Sequence, residues 1–193
     1  MLALRIEDLT IVYPGLQAPA LAVPKLEIAA GARVALTGPS GSGKTTFINI
    51  VTGMERARCG RVAWNGDELS GLSESARDRW RARNIGLVMQ DFHLFAGMSA
   101  EANVLLPQRL SRFALPADTR TRALELLRAV GIERPGQPVE TMSRGQMQRV
   151  AVARALIGRP GVIIADEPTA SLDTGSGAAV ADHQRPEARS RMN

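Results

Sequence analysis

From residue 2 to residue 12 apolar and polar positions alternate, with Leu4, Ile6 and Leu9 as the inward set, which predicts a strand that ends at Tyr13 and turns at Pro14-Gly15. Leu26-Glu27-Ile28 predicts a second short strand. Ala30-Gly31 then turns the chain into Ala32-Arg33-Val34-Ala35-Leu36-Thr37, read as a short buried strand, and residues 46–51 take the first turns of a helix. Residues 60–64 are strand again and enter a tight turn at Asn65-Gly66, so this part of the chain is mostly β around one helix. Residues 73–83 are polar and helical in character, and they lead into the apolar run Ile85-Gly86-Leu87-Val88-Met89, of strand length, which Gln90 closes. The character changes at Asp91. A helix is expected over 119–130, with Ala123, Leu124, Leu126, Leu127 and Val130 as its apolar stripe, broken by Gly131 and Pro135-Gly136. With the start of the helix over 147–156, this makes an inserted helical lobe of about 91–150, after which Val162-Ile163-Ile164-Ala165 reads as a buried strand ending in Asp166-Glu167.

Composition narrows the class only a little. The chain has 193 residues, 45% hydrophobic and 22% charged, an ordinary globular make-up with room for a single domain of 1–193 carrying a small inserted lobe. No apolar run approaches the roughly 18 residues of a membrane span, and Arg5, Glu7 and Asp8 stand where a signal peptide needs apolar residues, so a cytoplasmic protein is expected. Cys59 is the single cysteine, and His93 and His183 are far from it in sequence, so neither a disulfide nor zinc is expected. The net charge of +5 is almost wholly arginine, since Lys25 and Lys44 are the only lysines. The arginines are dispersed, and the densest group, Arg77, Arg79, Arg81 and Arg83, alternates with Asp78 and Trp80 as on a solvated helix face, so nucleic-acid binding is not the expectation.

Candidate chemistry centres on Gly38-Pro39-Ser40-Gly41-Ser42-Gly43-Lys44-Thr45, which matches G-x-x-x-x-G-K-[ST] in full, between a predicted strand and a predicted helix that begins at Thr46. Glycines let successive N–H groups turn inward around an anion, and the helix start adds its positive dipole end. Polyphosphate fits here, with the Lys44 ammonium on the β- and γ-phosphates and the Thr45 hydroxyl on Mg²⁺. Tyr13, the only tyrosine, is either a platform for a nucleobase or a half-buried strand end. Gln90, at the C-terminal end of a strand, is a candidate for holding Mg²⁺ or the attacking water. Ser143 is read as an N-cap, with the amides around Gly145 turned outward toward an anion. Paired carboxylates at a strand end are costly unless they do chemistry, so Asp166 is assigned to the Mg²⁺ water shell and Glu167 to polarising the attacking water.

In this order, Tyr13, the phosphate loop, Gln90, Ser143-Arg144-Gly145-Gln146, Asp166-Glu167-Pro168-Thr169 and Ala170-Ser171-Leu172-Asp173, the chain resembles the ATP-binding subunits of ABC transporters over residues 2–173. Met89-Gln90-Asp91-Phe92-His93-Leu94 and Asn103-Val104-Leu105-Leu106-Pro107 are similar to the lipoprotein-releasing and macrolide-export branch. The resemblance implies an α/β fold, a P-loop nucleotide hydrolase-like sheet with an N-terminal antiparallel β part and an inserted helical lobe. It also implies an ATPase that uses ATP and Mg²⁺, with Tyr13 on adenine, Gly38, Pro39, Ser40, Gly41, Ser42, Gly43, Lys44, Thr45 and Thr46 on the phosphates, and Thr45, Gln90 and Asp166 toward the metal. Such subunits pair head to tail, so that Ser143, Gly145 and Gln146 of one cap the nucleotide of the other. Asp173 would lie near that seam, and a transmembrane permease would hold the pair on the inner face of the membrane.

The sequence departs from the family twice. Arg144 stands where the family usually has glycine, although Gly145 is kept. After Asp173 the family continues into a helix and an apolar strand ending in a switch histidine, whereas residues 183–193 contain no apolar run and Pro186 interrupts any helix. His183 follows Glu167 too closely to replace that histidine. The C-terminal strands are therefore expected to be missing, as in a truncated or frame-shifted subunit, so that coupled hydrolysis is what the resemblance implies and the loss of the switch histidine is what can impair it. Two alternatives stand beside the ATPase: a nucleotide-binding interaction protein without turnover that pairs with a complete sibling, and a non-transport ABC ATPase acting on nucleic acid. A guanine-nucleotide switch is not expected, because no Asn-Lys-x-Asp stretch occurs.

Overall fold

Leu4, Ile6, Leu9 and Ile11 are all buried along the first strand, β1 (Leu4–Ile11), in the computed structural model, which describes residues 1–15, 18–111 and 114–165. The inward set slips by one residue between Ile6 and Leu9. The slip is a β-bulge: Asp8 has φ of 50°, and the pairing of β1 with the strand Cys59–Trp64 shifts register between Glu7 and Thr10. Gly60 faces this bulge, and a Cβ there would stand 2.5 Å from the Asp8 carbonyl group and Leu9 Cα.

The described residues form two compact bodies, Met1–Ile85 with Pro160–Val162, and Gly86–Arg159 with residues 163–165. In the first body, β2 (Leu21–Ile28) is longer than the three residues expected from sequence. Pro24 hid it, because proline cannot donate to a ladder; β2 is an edge strand, where that loss is tolerated. The helix α1 (Lys44–Val51) follows the phosphate loop, and β3 (Cys59–Trp64) and β4 (Asp67–Glu68) join through Asn65-Gly66, both at positive φ, as a two-residue hairpin requires. The antiparallel sheet has the order β2-β1-β3-β4. Trp64 donates its indole N–H to the Val51 carbonyl at 2.8 Å and stacks near Trp80, with ring centroids 6.5 Å apart, tying the sheet to α1 and to α2 (Glu74–Asn84).

Two expectations are corrected here. Residues 32–37 are not a buried strand: they carry no regular secondary structure, and Val34 and Leu36 are 63% and 45% exposed. A buried strand needs ladder partners, and among the described residues no strand pairs with this segment. The arginines of α2 are not all solvated either. Arg77 is 8% exposed, and it and Arg81 both donate to the Gly53 carbonyl, at 3.3 and 3.0 Å, just beyond α1.

In the second body β5 (Ile85–Val88) leads to α3 (Ala100–Ser111), α4 (Ala117–Ala129) and α5 (Arg144–Leu156), and a further strand, β6 (Val162–Ala165), pairs with β5. Val104 and Leu105 of α3, Ala123 and Leu127 of α4, and Val150 and Ala153 of α5 share one buried cluster, the core of the helical lobe. Asn103, fully buried, accepts from the Phe95 N–H at 2.8 Å and donates to the carbonyls of Phe95 and Ser99, both at 3.1 Å, which secures the loop before α3.

Candidate nucleotide site

The phosphate loop is shaped by residues that only glycine can replace without strain. Gly41 and Gly43 lie at φ of 79° and 87°, and Gly43 is the N-cap of α1. A Cβ on Gly43 would meet the Ala20 carbonyl oxygen at 2.6 Å, and one on Gly38 would meet Ser42 Oγ at 2.7 Å. Among the described residues no side chain caps α1, and it has no acid in its first turn, so there the N–H groups of Lys44, Thr45 and Thr46 are available to an external acceptor. Lys44 folds over its own loop, its ammonium donating to the carbonyls of Gly38 at 2.7 Å and Pro39 at 2.8 Å. The Thr45 side chain is exposed beside it.

Tyr13 belongs to the same body, just past the end of the strand whose partner begins beside the phosphate loop. Ala20 N–H closes the loop on the Ile11 carbonyl at 2.8 Å, and Ala20 is the residue against which Gly43 packs. The Tyr13 hydroxyl donates to the Glu55 carboxylate.

Gln90 and the Ser143 helix start lie in the second body. Gln90 is exposed, two residues beyond the end of β5. Ser143 is the N-cap of α5 and forms a capping box: its Oγ accepts from the Gln146 N–H at 3.2 Å, and Gln146 Oε1 accepts from the Ser143 N–H at 2.8 Å. Gln146 Oε1 is thus spent on its own helix, while the Gln146 amide NH₂ and the Ser143 hydroxyl keep protons to donate and the N–H groups of Arg144 and Gly145 open the helix. Arg144 places its guanidinium 5.4 Å from the centroid of the Phe92 ring.

Helix starts separate into two kinds. α2, α3 and α4 carry Glu74, Glu101 and Asp118 in their first turns, complementing the dipole from within. α1 and α5 carry no acid there, and these are the two helices expected from sequence to face phosphate.

One residue that sequence reasoning missed is Arg154, which donates to the carbonyls of His93, at 2.6 Å, and Phe92. Burial lowers its pKa from the ordinary guanidinium value, and it holds two consecutive residues at positive φ, 57° at Phe92 and 46° at His93, just after Gln90. The signal was faint: an arginine between Ala153 and Ala155 in an otherwise apolar stretch of α5. Asp166, Glu167, Asp173 and His183 lie outside the described residues.

The sequence profile of the family described as ABC transporter matches residues 21–170. The lipoprotein-releasing system ATP-binding protein LolD of Pseudomonas syringae pv. tomato is 42% identical over 162 residues, covering 83% of this chain and 71% of that protein. LolD of Chromohalobacter salexigens is 44% identical over 151 residues, covering 77% and 63%. Among solved structures, the dimeric structure of MJ0796, a bacterial ABC transporter cassette, aligns with a TM-score of 0.79 at 34% identity, covering 93% of this chain and 80% of that one. The dimeric post-hydrolysis state of the MJ0796 cassette bound to ADP and Pi aligns equally well, with a TM-score of 0.79 at 33% identity and the same coverage.

Proposed function

Because this chain belongs to the ABC transporter family, as an ATP-binding subunit of its lipoprotein-releasing branch, we propose that it binds MgATP at residues 38–46 and couples ATP hydrolysis to a transmembrane permease partner. The observation that carries this reading is the pair of acid-free helix starts, α1 and α5. On it, the amides of α1 and the Lys44 ammonium take the phosphates of bound ATP, while the α5 start, with Ser143, Gly145 and Gln146, reaches the nucleotide of a second subunit paired head to tail. Opening of the capping box would free Gln146 for that contact.

The donors assigned to Mg²⁺ are all oxygen: the exposed Thr45 hydroxyl, the Gln90 amide and, through water, the Asp166 carboxylate, a set that suits a hard cation. When bound, Mg²⁺ neutralises charge on the phosphoryl oxygens. Glu167 polarises the attacking water, Gln90 orients it and relays the state of the site toward the permease, and Tyr13 stacks on the base. Among the described residues no helix is long and apolar enough to cross a membrane. In this reading the permease holds the chain on the inner face of the membrane. The whole chain acts as one ABC-type domain in this reading.

Calorimetric titration with MgATP tests it. Lys44→Ala removes a cation whose bonds to phosphate are worth about 1.5–3 kcal/mol each, so affinity should fall on the order of a hundredfold. Unchanged affinity would show that the phosphates lie elsewhere.

A further inference from the structure

Stacking on a base uses the face of the Tyr13 ring and leaves its hydroxyl without a task. That hydroxyl is nevertheless committed, lying 2.9 Å from Oε2 and 3.0 Å from Oε1 of Glu55, with the contact partly buried. Glu55 is placed in turn by its own N–H, which donates to the Asn49 carbonyl in the last turns of α1 at 3.0 Å. The Tyr13 loop therefore meets α1 at two points. Near the start of the helix Ala20 packs on Gly43, and past its end Glu55 takes the ring hydroxyl. A tyrosine side chain has two torsions, so a hydroxyl held by a carboxylate leaves the plane of the ring little freedom.

We propose that Glu55 is a positioning residue for nucleobase recognition: its carboxylate pre-orients the Tyr13 ring, and α1 sets both the phosphate amides and, through Glu55, the base platform. The proposal rests on the reading of Tyr13 as that platform. It predicts a cost that falls on the base and spares the phosphates. A ring that must be immobilised on binding loses roughly three- to tenfold in affinity against one already held.

The full chain is titrated with MgATP and with magnesium tripolyphosphate, which has no base. Glu55→Met removes the acceptor, and Tyr13→Phe keeps the ring but loses the donor, so the test survives if one variant folds poorly. Each should weaken MgATP by the same factor, roughly three- to tenfold, the double variant should lose no more than either alone, and tripolyphosphate should bind all of them as it binds the parent. Unchanged ATP affinity, additive losses, or a parallel fall for tripolyphosphate each overturn the role of Glu55. Tyr13→Ala separates this failure from that of its premise: if the ratio of ATP to tripolyphosphate affinity survives that change, Tyr13 is no base platform and the proposal falls with it.

Discussion

At Gly60 the backbone of β3 passes so close to the bulge of β1 that no side chain fits, and its φ of 84° would strain any other residue. Gly60→Ala is therefore expected to lower stability by about 2–4 kcal/mol, since strain in the left-handed region adds to a clash with backbone that cannot rotate away. The midpoint of urea unfolding reads this directly, and a shift under 1 kcal/mol would mean that the bulge yields. Single residues also show what a linear pattern conveys and what it omits. Asn65-Gly66 was legible because the demand for positive φ is local to those two positions. Arg77 was misread because helical spacing says nothing about the Gly53 carbonyl awaiting it. Asn103 marks the branch resemblance in the sequence, but its hold on the loop around residues 95–99 is not legible there, because only folding brings that loop to it.

Among elements, α5 is the most informative. Ser143 is its N-cap, as expected from sequence, and the structure adds a capping box that joins it to Gln146. Ser143→Ala removes the acceptor for the Gln146 N–H and should lower stability by about 1 kcal/mol, read from chemical unfolding without nucleotide. No measurable change would mean that the helix start is held by its tertiary contacts alone. The helix is also fastened along its length, by Arg154 to the Phe92 and His93 carbonyls and by Arg122 of α4 to the carbonyls of Leu156 and Ile157. α3 had no sequence signature of its own, because Pro107 lies inside it and its stripe of Val104 and Leu105 is short. Packing of that stripe against α4 and α5 outweighs the proline.

For the whole molecule, the proposed mechanism requires two copies. Glu167→Gln, by removing the base while leaving the phosphate donors, should let MgATP convert the chain from monomer to dimer, visible as a doubling of mass in light scattering, and Lys44→Ala in the same background should abolish the shift. A chain that stays monomeric at saturating MgATP would count against head-to-tail pairing. By itself, the order of residues determined the phosphate loop, the hairpin, the α5 cap and the family, because each depends on local φ/ψ demands or on spacing within a few residues. Only the tertiary structure decided that residues 32–37 pair with no strand among the described residues, that β1 bulges at Asp8, and that Tyr13, Asn103 and Arg154 have the partners they do. The reason is physical: a strand needs neighbours and a buried polar group needs an acceptor, and both come from segments whose approach no periodicity of two or 3.6 encodes.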